Sequence, residues 1–236
     1  MIKAVLIDDI NQVAPYMDDG IAQYLKKGKT ETFEEFESYY LFAFDWYDVY
    51  SDNNDLSKIV TYCSSRDIFF LCEAERTLEM VQRSIPESQT EGEVIYRFFL
   101  NLLKEDIDDL DRLEAEITDT ENLAITTSDT KDYLEKIILF RKELLRRKRY
   151  YEQLIDIFEN LKIDDEKILS HDAKRHFAIL QSRAEKLCST VMNLRDYVTQ
   201  MREAYQSQVD IQQNELMKFF TVLTALFLPL PLLAGW

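Results

Sequence analysis

Glycine and proline are scarce in this chain, four of each in 236 residues. Both residues punctuate structure, so their scarcity argues against a turn-rich β architecture and favours long uninterrupted helices. Cysteine is scarce as well. Cys63, Cys72 and Cys188 are scattered and lack CxxC spacing, which argues against a disulfide framework or a structural zinc and points to reduced thiols in a cytosolic compartment. Basic residues are outnumbered, 28 Lys and Arg against 44 Asp and Glu, for a net charge of −16. That surface repels phosphate backbones, so no nucleic-acid partner is expected, and it is compatible with cation handling. The only two histidines, His171 and His176, sit five residues apart, poorly matched to one helix face, and Cys188 lies too far along to join them. A phosphate loop, a glycine-rich nucleotide turn and a Ser/His/Asp constellation are all missing, so no enzyme is expected. The start, MIKAVLIDDI, reaches its aspartates too soon for a signal-peptide core.

What is present reads as a folded chain: 46% hydrophobic and 31% charged residues, long enough for one large domain or two small ones. Residues 2–7, with parts of 38–47, 57–63 and 66–72, are short, β-branched or aromatic runs that read as strands, divided by polar turns such as SDNND. Residues 30–38 and 73–84 read as helices, the second ended by Pro86. The expectation is an α+β chain in three parts. Residues 1–90 form an α/β/α-type domain, 91–169 an antiparallel helical hairpin, and 170–236 a long stalk helix.

Charge orients the hairpin, whose helical stretches are 91–120 and 131–161, with Ser128 marking the second start. Residues 105–121 (EDIDDLDRLEAEITDTE) hold nine acids and one base, and residues 141–149 (RKELLRRKR) hold six bases and one acid. Folding back near residue 126 sets acid against base. The acidic run is also read as a possible divalent-cation site.

Two stripes mark the stalk. Phe177, Leu180, Ala184, Leu187, Val191, Leu194, Val198, Met201 and Tyr205 recur at steps of three and four, a heptad seam that must face other helices. Further on, Glu203, Ser207, Asp210, Asn214, Met217, Thr221, Thr224 and Leu228 recur in the same rhythm and pass from carboxylates through amide and hydroxyl to apolar groups. Repeated around an axis, that edge would stack rings of oxygen of the kind hard, hydrated Mg²⁺ accepts. Such residues can equally pack, their hydroxyls satisfied on the preceding turn. The tail from Phe219 to Trp236 carries no charge over eighteen residues, near the lower bound of the ~17–25 that span a bilayer. Pro229 and Pro231 are tolerable there.

The stretch NELMKFFTVLTALFLPLPLLAGW resembles the first transmembrane helix of the CorA family of magnesium channels. The frame Asn-Glu-x-Met-Lys-x-x-Thr stands at 214–221, Phe-x-Pro-Leu at 227–230 and Ala-Gly at 234–235. The resemblance covers the whole layout, and the last thirty-five or so residues in specific sequence. It implies a homopentamer transporting divalent cations through a membrane, inner-membrane location with residues before about 215 cytoplasmic, and Mg²⁺ as both cargo and regulator. Asn214 matches the family's pore asparagine, Met217 and Phe220 its hydrophobic constriction, and Thr221, Thr224 and Leu228 further pore-lining positions. Glu203 falls where the family places an acidic residue at a subunit interface that holds regulatory Mg²⁺. Asp210 replaces a small polar residue and would add a ring of charge below the membrane. The sequence ends before the family's Gly-Met-Asn signature and second membrane helix, so it reads as a fragment holding the start of the first membrane helix at 215–236. The same fold with Zn²⁺, Co²⁺ or Ni²⁺ as cargo, and a membrane-anchored coiled-coil scaffold without transport, are the alternatives.

Overall fold

A computed structural model describes residues 1–28, 30–46, 56–85, 91–126, 130–163 and 171–227. The turn at SDNND, Pro86 and Ser128 fall outside these ranges, as does everything from 228 on. Five strands, β1 (Ile2–Leu6), β2 (Phe33–Glu35), β3 (Tyr39–Trp46), β4 (Ser57–Ser64) and β5 (Ile68–Cys72), form one sheet in the order β1-β5-β4-β3-β2. β1 runs parallel to β5 in the register Ile2 to Ile68, and every other pairing is antiparallel.

Alternation along β3 explains why the sheet is covered on both faces. Tyr40, Phe42 and Phe44 point into a core built with helices, while Tyr39, Leu41 and Ala43 point into a second core on the other side. The second core is closed by two 3-10 turns (Ile7–Gln12 and Ala14–Tyr16) and by α1 (Ile21–Lys26), which bring in Ile10, Val13, Met17, Ile21 and Leu25. Helix α1 lies between Gly20 at φ 83° and Gly28 at φ 66°, left-handed positions that glycine tolerates best. The first core receives α2 (Glu75–Ser84) and α3 (Glu91–Leu102), with Phe98 and Phe99 set among Phe42, Phe44 and Phe70. The α+β class and the α/β/α layering both hold.

One expected helix is a strand. Residues 30–38 read as helical, but Phe33–Glu35 pairs with β3 in the register Phe33 to Phe42. In a strand, positions three apart lie on opposite faces. Phe33 accordingly packs on the helical core, and Phe36 packs on the other core, stacked on Tyr39 at 4.5 Å. The stretch 91–120 is also interrupted, because α3 stops at Leu102 and α4 (Asp106–Thr126) begins anew. Leu103 is fully buried at the break, and Arg183 Nη2 donates to the carbonyls of Leu103 at 2.6 Å and Lys104 at 3.3 Å. The partner that ends α3 comes from eighty residues away, where no local signal announces it.

Helix α5 (Thr130–Ile163) runs antiparallel to α6 (His171–Phe227), with Tyr133 beside Met201 at one end and Lys162 bonded to Gln181 at 2.7 Å near the other. Every seam position of α6 from Phe177 to Met201 is buried. Its partner seam on α5 has the same spacing: Tyr133, Ile137, Phe140, Leu144, Arg147, Tyr151, Leu154, Phe158 and Leu161, all buried. Arg147 is the polar exception. Its Nη1 lies 2.8 Å from Asp109 Oδ2 on α4, an ionic contact lacking hydrogen-bond alignment, and its Nε donates to Glu143 at 2.8 Å. Acid from α4 therefore does meet base from α5, at the buried Asp109–Arg147 pair.

Candidate functional site

Helix α6 has 57 residues and a length of about 85 Å at ~1.5 Å per residue. The domain grips roughly its first half. The last anchors are a Tyr133 hydroxyl donating to the Met201 carbonyl at 3.3 Å and the Tyr133 ring against Tyr205 at 5.1 Å between centroids. Tyr197 donates its hydroxyl to Glu121 on α4 one to two turns earlier. From Gln206 to Phe227 every side chain except Val209 is exposed. Exposed residues on this free segment include Met217, Phe219, Phe220 and Phe227, at 59–69%. A lone helix in water does not hold such a surface by choice, which marks the segment as covered in the working protein. No helix of the described residues is long and apolar enough to cross a membrane. The described helix ends at Phe227, halfway through the uncharged tail.

The expected site residues fall as follows. Glu203, Asp210, Asn214, Met217, Phe220, Thr221 and Thr224 are all exposed on α6, and Leu228 lies outside the described residues. At ~100° per residue, Glu203 stands about 200° from the buried Met201 and also from Tyr205. The oxygen-bearing edge therefore points directly away from the domain that grips the helix. Met217, Phe220, Thr221 and Thr224 line one shallow groove with Ala225. Thr221 donates its hydroxyl to the Met217 carbonyl and Thr224 donates to the Phe220 carbonyl, both at 2.8 Å. Each hydroxyl proton is thereby occupied on the helix's own backbone, and the lone pairs of both oxygens remain for an outside donor or cation. Asp210 accepts a bond from Gln206 at 3.3 Å.

A single chain does not assemble a metal centre: among the described residues no group of three or more His, Cys, Asp or Glu could hold a metal ion. Glu203 and Asp210 are two turns apart along the edge, about 10 Å, too far to share one ion. The acidic run 105–121, read as a possible cation site, is divided among the Asp109 ion pairs with Arg147 and Arg112, the tyrosine-bonded Asp106 and Glu121, and an exposed face.

One feature that the sequence reading passed over is a polar cluster joining the three long helices. Asp106 accepts a bond from the Tyr151 hydroxyl at 3.0 Å. Burial pushes its carboxyl up to about 6, against the pull of that bond and of Arg147. Tyr151 stands well above the ordinary phenol value, chiefly through burial. Arg147 at a heptad core position was the legible sign, since a charge there demands a buried partner.

A layered domain that clamps a long helix and sends its free, apolar end outward defines a class of stalk-bearing unit. Comparison with known proteins gives the family. The family model for CorA-like Mg²⁺ transporter protein matches residues 47–236, and the chain belongs to that family. It is 24% identical over 138 residues to the cobalt/magnesium transport protein CorA of Thermotoga maritima, a match covering 58% of this chain and 37% of that protein. This chain thus accounts for little more than a third of that relative's length. In fold it resembles the CorA magnesium transporter of Methanocaldococcus jannaschii, with a TM-score of 0.79 at 18% identity over all of this chain and 78% of the other. It also resembles the full-length CmaX protein, TM-score 0.81 at 14% identity, over all of this chain and 76% of that one. The ZntB cytoplasmic domain of Vibrio parahaemolyticus matches with a TM-score of 0.68 at 10% identity, over 89% of this chain and 87% of the other.

Proposed function

We propose that this chain is the cytosolic domain and the beginning of the pore helix of a divalent-cation channel, with Mg²⁺ as cargo and as regulator. Several identical copies, five by the family resemblance, surround an axis in the inner membrane. Residues before about 215 are cytoplasmic and those after enter the bilayer. The observation that carries this reading is the direction of the oxygen-bearing edge. Because it lies opposite the seam that holds α6 to its own domain, copies arranged with their domains outward bring Glu203, Asp210, Asn214, Thr221 and Thr224 to the centre.

The chemistry runs along the edge in order. Carboxylates of Glu203 and Asp210 concentrate cations at the cytosolic end. The Asn214 amide oxygens form a ring that accepts hydrogen bonds from the water shell of a hydrated ion, or replaces part of it. Met217 and Phe220 make an apolar constriction, and the Thr221 and Thr224 oxygens take up the ion beyond it, with Leu228 next on the same edge. Because the described residues of one chain bring no group of three or more metal-ligating side chains together, a regulatory ion at Glu203 draws its ligands from neighbouring copies. A bridging cation favours the state in which those copies stand close.

The test is Asn214→Ala in the full-length protein reconstituted in liposomes, scored by Mg²⁺ uptake in competition with Na⁺ and Ca²⁺. Loss of uptake, or of preference for Mg²⁺ by tenfold or more, is expected. Unchanged uptake and preference would remove the ring from the mechanism. Absence of any ion flux in the unaltered full-length protein would favour a scaffold.

A further inference from the structure

Back from Glu203 the edge continues toward the start of α6 in the same rhythm, through Gln200, Asp196, Asn193, Ser189, Lys186, Ser182 and Ile179 to Arg175. Beside the first turn of α4 it forms an open groove lined by Ile107, Arg175, Ile179, Ser182, Arg183 and Lys186. Three of these residues are cations and none is a carboxylate, in a chain of net charge −16. Arg183 is held in place by its bonds to the Leu103 and Lys104 carbonyls. Its Nε is buried without a hydrogen-bond partner among the described residues. Ile107 and Ile179 keep 43% and 52% of their surface exposed within the same groove.

We propose that this groove binds a small polyanion, a chain of phosphates with or without an attached nucleoside, through Arg175, Arg183 and Lys186. Any apolar portion rests on Ile107 and Ile179. Arg175 and Lys186 are about 17 Å apart along the helix, so one phosphate cannot engage both and a chain of them can. Asp106 neighbours Arg183 but is occupied by the Tyr151 hydroxyl, and the exposed Glu105 and Asp108 on either side of Ile107 do not line the groove. The groove is complete within one chain, so the inference does not depend on the transport reading. Glu203 lies about 42 Å from Arg175, several screening lengths away. A bound polyanion therefore does not act through its field at those carboxylates.

Calorimetric titration of the full-length protein in detergent with tripolyphosphate and with ATP, at matched ionic strength and without divalent cations, tests this. Saturable binding is expected, weakened at least tenfold by Arg175→Ala/Lys186→Ala. The control Arg141→Ala/Arg149→Ala removes the same charge from exposed sites on α5 and is expected to change affinity less than twofold. Tighter binding of ATP that Ile179→Ser abolishes assigns the apolar floor to the nucleoside, and equal affinity for both anions assigns the site to the phosphate chain alone. The proposal is overturned by absence of saturable binding, or by equal weakening in both double variants. It is equally overturned if Ile179→Cys crosslinks to α4 of a second copy in the assembled protein while no anion binds, since the groove is then a contact between copies.

Discussion

Asp106 and Arg147 occupy positions that would normally carry apolar side chains, and their burial couples the packing of three helices to protonation. The Asp106 carboxyl, ordinarily near 3.8, is held at about 6 mainly by burial. A raised folded-state value means that the folded chain binds more protons than the unfolded one between those limits. Stability from this group is fully present below about 3.8 and is lost as pH rises through about 6. Comparing urea midpoints at pH 4.5 and 7.5 should show Asp106→Asn stabilising the chain at pH 7.5 relative to its own effect at pH 4.5, by at most about 3 kcal/mol. Identical pH dependence in the two proteins would mean that the carboxyl titrates normally. The charge of this cluster was legible as acid-rich and base-rich runs. That one arginine of the basic run sits inside the seam was legible only from the spacing Leu144, Arg147, Tyr151, which a search for apolar residues alone passes over.

At the level of elements, periodicity succeeded where one face of a helix meets a continuous neighbour and failed where a short segment borrows its geometry from a distant strand. The α6 seam is long, regular and free of glycine and proline, so a single pattern determines its buried face. β2 is three residues long and exists because β3 offers it an edge. The break between α3 and α4 is held by Arg183, which reaches from α6 to the Leu103 and Lys104 carbonyls. Neither relation is local in sequence. Adjacent residues test the assigned face of α6. Leu180 is fully buried and Ile179 is half exposed, so Leu180→Ala should cost about 2–5 kcal/mol in chemical denaturation and Ile179→Ala no more than about 0.5 kcal/mol. Comparable losses would place the seam wrongly on the helix.

For the whole molecule, the decisive asymmetry is that α6 is fastened along one side for half its length and bare on all sides afterwards. The family frame at 214–221 was readable because it is irregular and specific. The direction in which its residues face was not, since it follows from the buried seam twenty residues earlier and from the helical phase carried between them. In the proposed assembly that phase brings Glu203, the first oxygen-bearing side chain beyond the last buried seam residue, toward its counterparts in the neighbouring copies. A ring of Glu203 and Asp210 carboxylates, as proposed, would repel itself without a bridging cation. A bound cation would neutralise the ring and favour stalks drawn together. In the full-length protein, millimolar Mg²⁺ should therefore slow proteolysis of the stalk between Arg202 and Lys218 at least severalfold. Glu203→Ala should abolish that protection while leaving the denaturation midpoint of the domain within about 0.5 kcal/mol, because the side chain is exposed in the single chain. Equal cleavage of the unaltered protein with and without Mg²⁺ would separate the stalk from any cation-controlled state, even if Asn214 still proves to select the ion.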